Sequence, residues 1–163
     1  MTGNRKSLRI ANYDYSTPGS YFVTICLNDR KPILSTVDDS GVQLSDIGLM
    51  IAEVWNSIPE RFPTVVLDAF VVMPDHIHGI VCLNFANRDN KLLTLGTVIG
   101  MFKGLTTNRY IAGVKEVNWP RFSRQLWQTG YRDHIIRDDR DLWARQLYIE
   151  RNPGRWLEKR DSL

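Results

Sequence analysis

The 163-residue sequence is poor in the residues that cross-link chains or carry them through membranes. It has two cysteines, Cys26 and Cys82, each inside an apolar, strand-like run. There a reduced thiol behaves as a small buried hydrophobe. Neither the number nor the spacing of the thiols fits a disulfide framework or a thiolate metal site. No stretch of about 18 apolar residues occurs, so a membrane helix is not expected. Residues 1–20 (MTGNRKSLRIANYDYSTPGS) lack the apolar core of a secretory signal. The expectation is a soluble, cytoplasmic protein with no membrane partner. Repeats and low-complexity tracts are also missing, which argues against a solenoid or a linker-rich array. What is present, 43% hydrophobic residues in a length typical of one domain, is enough for a single core. One domain over residues 1–163 is expected, with 1–20 as a polar arm and 157–163 as a tail.

Apolar periodicity orders the elements. Tyr21 to Asn28 (YFVTICLN) is dense in aromatic and β-branched residues and reads as a strand. A short strand over 33–37 and a turn over 38–43 follow. Ser45 is placed to cap a helix over 46–60, whose Ile47, Met50, Ile51, Val54, Trp55 and Ile58 recur at helical spacing. Beyond Pro63, residues 65–73 and 76–83 read as strands around Pro74-Asp75, either an antiparallel pair or one long strand bent at the proline. Residues 84–91 form a polar loop. A helix over 95–112 turns Val98, Ile99, Phe102, Leu105 and Ile111 inward, with Lys103 and Arg109 on other faces. Extended pieces at 126–128 and 131–136 precede a third helix, opened by Arg137-Asp138-Asp139 and ended near Asn152-Pro153-Gly154. The order β, β, α, β, β, α, β, α fits an α+β fold of ferredoxin-like type, an antiparallel sheet covered by helices.

Histidine is scarce as well, yet two of the three histidines sit one residue apart in VVMPDHIHGIVC, residues 71–82. On a strand, alternate side chains share a face, so His76 and His78 point the same way, with Ile77 and Ile80 turned to the opposite side or the core. Two neutral imidazoles on one face are part of a divalent-metal site and need a further ligand, water or substrate to complete it. The same pattern also suits two polar positions on a half-exposed strand.

The net charge is +3, a mild basic excess that fits an anionic partner. Residues 121–160 concentrate nine arginines and one lysine, interleaved with Trp127, Tyr131, Trp143, Tyr148 and Trp156. Guanidinium and aromatic groups together suit phosphate contact and base stacking. Acidic neighbours such as Asp138, Asp139 and Asp141 would instead make part of this segment an ordinary solvated helix face.

In LYIERNPGRW, Tyr148 and Asn152 lie four residues apart and therefore on one helix face. A tyrosine can act as a nucleophile and an asparagine offers a neutral carbonyl oxygen, although a surface hydroxyl and a helix cap are the plainer roles. Taken together, MPDHIHGIV, WQTGYRDHIIRDDRDL and YIERNP resemble the REP-associated tyrosine transposases, a branch of the single-tyrosine HUH transposases that act on single-stranded DNA. The resemblance runs from about Tyr21 to Trp156. It implies a ferredoxin-like fold and recognition of a DNA hairpin with adjacent single strand. It also implies His76 and His78 as ligands of Mg²⁺ or Mn²⁺, Asn152 as the third ligand, and Tyr148 as the catalytic residue.

Phosphodiesters are anionic and resist nucleophiles, so a cation on a non-bridging oxygen assists their cleavage. Attack by Tyr148 would leave a 5′-phosphotyrosine and a free 3′-hydroxyl. Tyr131, the competing nucleophile, lacks an asparagine four residues on, and His134 is read as a structural hydrogen-bonding residue. Lys103, Arg132, Arg137, Arg145, Arg151 and Arg155 are the candidate DNA contacts. Two alternatives stand beside this reading: a non-catalytic or domesticated DNA-binding protein that keeps the transposase fold, and a metallohydrolase of small substrates. The target sequence, and whether a homodimer forms with the tyrosine acting in cis or in trans, are not written in the chain.

Overall fold

In a computed structural model, which describes residues 19–84 and 93–162, the first β-branched run forms β1, Gly19–Cys26. Gly19 and Ser20 therefore belong to a strand; the rest of the expected arm, and most of the expected loop at 84–91, lie outside the described residues. The chain continues as β2 (Ser35–Asp38), β3 (Gly41–Leu44), α1 (Asp46–Asn56), α2 (Ile58–Arg61), β4 (Val65–Val72) and β5 (His76–Leu83). It ends with α3 (Leu95–Val117), β6 (Arg132–Ile136) and α4 (Asp139–Asp161).

One sheet has the order β4-β5-β1-β6 with every neighbouring pair antiparallel. With α1 between β1 and β4 and α3 between β5 and β6, this is the ferredoxin-like arrangement, to which the β2-β3 hairpin and α4 are added. The pairing Val72↔Ile77 shows that β4 and β5 are an antiparallel pair rather than one bent strand.

Strand parity divides the interior in two. Tyr21, Val23 and Ile25 of β1 and Ile77, Val81 and Leu83 of β5 enter the main core with Trp55 of α1 and Phe102 of α3. On the other face Phe22, Ile80 and Ile149 form a smaller cluster, joined by Leu142 and Tyr148 of α4. Ile80 thus lies in a core, one of its two expected placements, but not on the side opposite the histidines; two residues past His78, it shares their face. The register sets His78 beside Thr24 on β1 and Cys26 beside His76.

β1 and β2 are shifted by about two residues from the sequence reading, and larger differences have local reasons. The helix over 46–60 breaks at Ser57 because Pro59 has no N–H to continue the ladder, leaving α2 as one turn. Residues 41–44, expected in a turn, form the second strand of a hairpin around Asp39-Ser40; Gly41 adopts φ +115, a region a glycine enters without strain. The second long helix extends to Val117, capped by Asn118 in the left-handed conformation, and it presents Tyr110 rather than the exposed Ile111 to the core. The last helix does not end at Asn152: α4 runs through Pro153 to Asp161, so most of the expected tail is helical. Its later turns find tertiary partners, with Trp156 against His76 and Arg160 donating to the Val37 carbonyl. Such contacts offset the ~3 kcal/mol that a proline costs inside a helix. Among the described residues no helix is long and apolar enough to cross a membrane.

Candidate active site

The two histidines of β5 are buried and turned toward each other, with their Nε2 atoms 3.1 Å apart. Each ring is held from behind. His76 Nδ1 lies 2.6 Å from Asp75 Oδ1 and, because a carboxylate only accepts, donates to it, which leaves Nε2 as the nitrogen that faces His78. His78 Nδ1 is 2.8 Å from the Thr24 hydroxyl, and Phe22 stacks on the ring at 5.3 Å. Burial, followed by the charge of His76, pushes the His78 pKa down to about 3, so this imidazole is neutral at physiological pH. For Asp75, burial raises the carboxyl, but the His76 hydrogen bond, that ring's charge and the Arg30 guanidinium together hold it below its ordinary value. Arg30 Nε is 2.9 Å from Asp75 Oδ2.

This arrangement fits a divalent metal. Two nitrogens bound at right angles to one ion at about 2.1 Å would stand about 3.0 Å apart. An imidazole whose far nitrogen donates to a carboxylate is the usual state of a metal-ligating histidine. Among the described residues, no cluster of three or more His, Cys, Asp or Glu side chains offers a complete metal site. Completing a sphere around the two imidazoles falls to a neutral oxygen, to water or to substrate.

A stripe of α4 supplies the facing wall. Tyr148, Asn152 and Trp156 follow one another at four-residue spacing. The Tyr148 ring meets His78 edge-on at 5.5 Å, Trp156 lies 6.1 Å from His76, and Asn152 is buried between them along the helix. Arg155 lies over the Tyr148 ring at 4.9 Å. All of these side chains, with Thr24, Cys26, Arg30 and the loop 128–131, line one open cleft of about 990 Å³.

The structure therefore brings His76, His78, Tyr148 and Asn152 together. Of the six candidate DNA contacts, Arg132 and Arg155 line the cleft. Lys103 does not: its ammonium donates to the Gln128 and Gly130 carbonyls and lies beside the Tyr131 ring, so it fastens the loop that forms the cleft rim. Arg145 lies over Phe22 and beside Asp141, while Arg137 and Arg151 are exposed outside the cleft. Tyr131 is buried in the cleft wall. His134 Nε2 is 2.7 Å from Asp141 Oδ2, a contact that ties β6 to the first turn of α4. Sequence reasoning missed Asp75 and Arg30. An acid directly before the first histidine was a signal for Asp75, whereas nothing local marks Arg30, which meets Asp75 only after the 27–34 turn folds onto Pro74-Asp75.

A protein of Haemophilus influenzae without an assigned function is 34% identical to this chain over 166 aligned residues, covering 94% of this chain and 90% of the relative. A second protein of that organism, named "Putative REP-associated tyrosine transposase", is 28% identical over 88% of this chain and 76% of its own length. The chain is thus similar to a protein named for the REP-associated tyrosine transposases along most of its length. No protein-family model matches it. Among solved structures, a REP-associated tyrosine transposase bound to a REP hairpin superposes with a TM-score of 0.64 at 21% identity, over 90% of this chain and 73% of that one. A Deinococcus radiodurans structure described as a putative transposase gives 0.54 at 18% identity, over 87% and 95%. Both share the ferredoxin-like fold of this chain.

Proposed function

We propose that the protein is a transposase: a metal-dependent endonuclease and strand transferase for single-stranded DNA that works through a covalent 5′-phosphotyrosine on Tyr148. The observation that carries this reading is the meeting, in one cleft, of Tyr148 with two imidazoles whose Nε2 atoms converge. Similarity to a protein named as a putative REP-associated tyrosine transposase supports the reaction class, and the hairpin held by the similar solved structure supports a hairpin with adjacent single strand as the partner.

His76, His78 and Asn152 would hold Mg²⁺ or Mn²⁺, which supplies charge neutralisation of a non-bridging phosphate oxygen and polarises phosphorus toward attack. Asp75 and Thr24 fix the ring orientations, and Phe22 and His78 fix the Tyr148 ring. In the step itself the Tyr148 Oη–phosphorus bond forms and the phosphorus–O3′ bond breaks. The phenol loses one proton and the departing 3′ oxygen gains one. The phosphoester is retained as phosphotyrosine, so rejoining by a 3′-hydroxyl needs no ATP. Arg132 and Arg155 contact phosphates beside the scissile one. Because α4 lies over its own chain's histidines, this site needs no second copy, and a cytoplasmic location belongs to the same reading.

The test is incubation of hairpin-bearing single-stranded oligonucleotides with the protein and Mn²⁺. A covalent protein–DNA band on a denaturing gel is expected, lost on adding chelator and lost in Tyr148→Phe while that variant still binds DNA. An adduct that persists in Tyr148→Phe removes Tyr148 from the role. Binding without any adduct by the unaltered protein would point to the DNA-binding alternative.

A further inference from the structure

The cleft has two ends. Along α4, Tyr148 stands at the His78 end, whereas Trp156 and Lys159 stand two and three turns on, at the His76 end. Arg30 reaches that second end from the turn after β1. Its backbone adopts φ 53, the left-handed region that a non-glycine residue occupies only where its surroundings hold it there. Arg30 Nε binds Asp75 Oδ2, and the other Asp75 oxygen binds His76 Nδ1. Asp75 is buried, but the Arg30 side chain keeps 47% of its exposure. A guanidinium has five N–H donors in a fixed fork, so the contacts to Asp75 and to the Cys26 thiol engage only part of it, and the side chain lines the cleft.

We propose that Arg30 is a phosphate-binding residue for the nucleotide flanking the scissile phosphate, and that through Asp75 it also positions the His76 imidazole. This rests on the reading of the cleft as a single-strand site and adds a subsite to it: Arg30 and Lys159 face the backbone phosphate at the His76 end, beside the Trp156 ring. One guanidinium thereby touches both the substrate and the group that orients a metal ligand. A strand drawn into this end of the cleft meets the same residue that, through Asp75, holds the His76 ring with Nε2 aimed inward.

Two binding measurements test the two halves without requiring cleavage. In the first, (dT)20 binding is followed by fluorescence anisotropy in EDTA across a salt series. Loss of one phosphate contact makes the slope of log K against log[salt] shallower by about 0.7 for a single strand. Arg30→Met is expected to weaken binding roughly tenfold with that change in slope, and Arg30→Lys to restore most of the slope. In the second, Mn²⁺ binding to the DNA-free protein is followed by electron paramagnetic resonance. Asp75→Asn is expected to weaken Mn²⁺ about 10- to 100-fold. Arg30→Met is expected to weaken it by a smaller factor that Arg30→Lys, lacking the fork, does not recover.

An unchanged salt slope in Arg30→Met overturns the phosphate contact. Unchanged Mn²⁺ affinity in that variant overturns the positioning role. Failure of the unaltered protein to bind (dT)20 would overturn the proposal together with the single-strand reading beneath it. Binding that behaves as expected but yields no covalent adduct would sink the nuclease reading alone.

Discussion

At Gly79, on the strand that carries both histidines, the Trp55 ring occupies the space where a side chain would begin: a Cβ there would lie 2.3 Å from the ring. Trp55 is fully buried, stacked on Phe70 at 4.7 Å and edge-on to Phe102, so it has little room to yield. Gly79→Ala should therefore lower unfolding free energy by about 1–3 kcal/mol, the usual range for overpacking a core, read as a lower urea midpoint at unchanged m-value. An unchanged midpoint would mean that the ring moves freely. The same strand shows what single residues disclose in advance. Period-two alternation is a backbone property, so the shared face of His76 and His78 was legible, and the same rule places Ile80 beside them. Asp75, directly before His76, carried a local signal, whereas Arg30 was not legible as part of the site, because its contact with Asp75 joins two turns distant in sequence and depends on where the chain folds back.

The helices contrast two prolines. Pro59 lies just past the end of α1, where the helix breaks, while Pro153 sits inside α4 and does not break it. Propensity is a local quantity and reads both sites alike; tertiary contact distinguishes them, since the turns after Pro153 lie against His76 and Val37. For this reason the existence of α4 could be read from sequence but its end could not, and Trp156 was seen only as one of many aromatics. A Cβ added at Gly154, next in the helix, would meet nothing within 4 Å, and the backbone there has no positive φ. Gly154→Ala should raise stability by about 0.5–1 kcal/mol by restricting the unfolded chain and favouring the helix. Thermal unfolding should show the higher midpoint, with DNA affinity in chelator unchanged; a lower midpoint would show that the helix is distorted around Pro153 in a way only glycine tolerates.

At the scale of the whole molecule, element order was sufficient to indicate a ferredoxin-like sheet, but it could not show on which chain's histidines α4 rests. In the structure α4 is tied to its own chain at points along its length: Asp141 to His134 of β6, Gln146 to Asp68 of β4, Tyr148 to Phe22 and His78, and Arg160 to Val37 of the β2-β3 hairpin. Donating the tyrosine to a partner would require all of these contacts to break together. Mixing separately inactive variants tests this directly. Under the proposed roles, His76→Ala retains the nucleophile and Tyr148→Phe retains the metal-binding side chains, so a helix exchanged between two copies would rebuild one complete site in a mixed dimer. With α4 acting on its own chain, no site is complete and the mixture should form no more covalent adduct than either variant alone, even after co-refolding. Recovery of adduct that rises with protein concentration would show the tyrosine acting in trans. A dimer detected by light scattering without such recovery would place the subunit interface away from α4, leaving each cleft complete within its own chain.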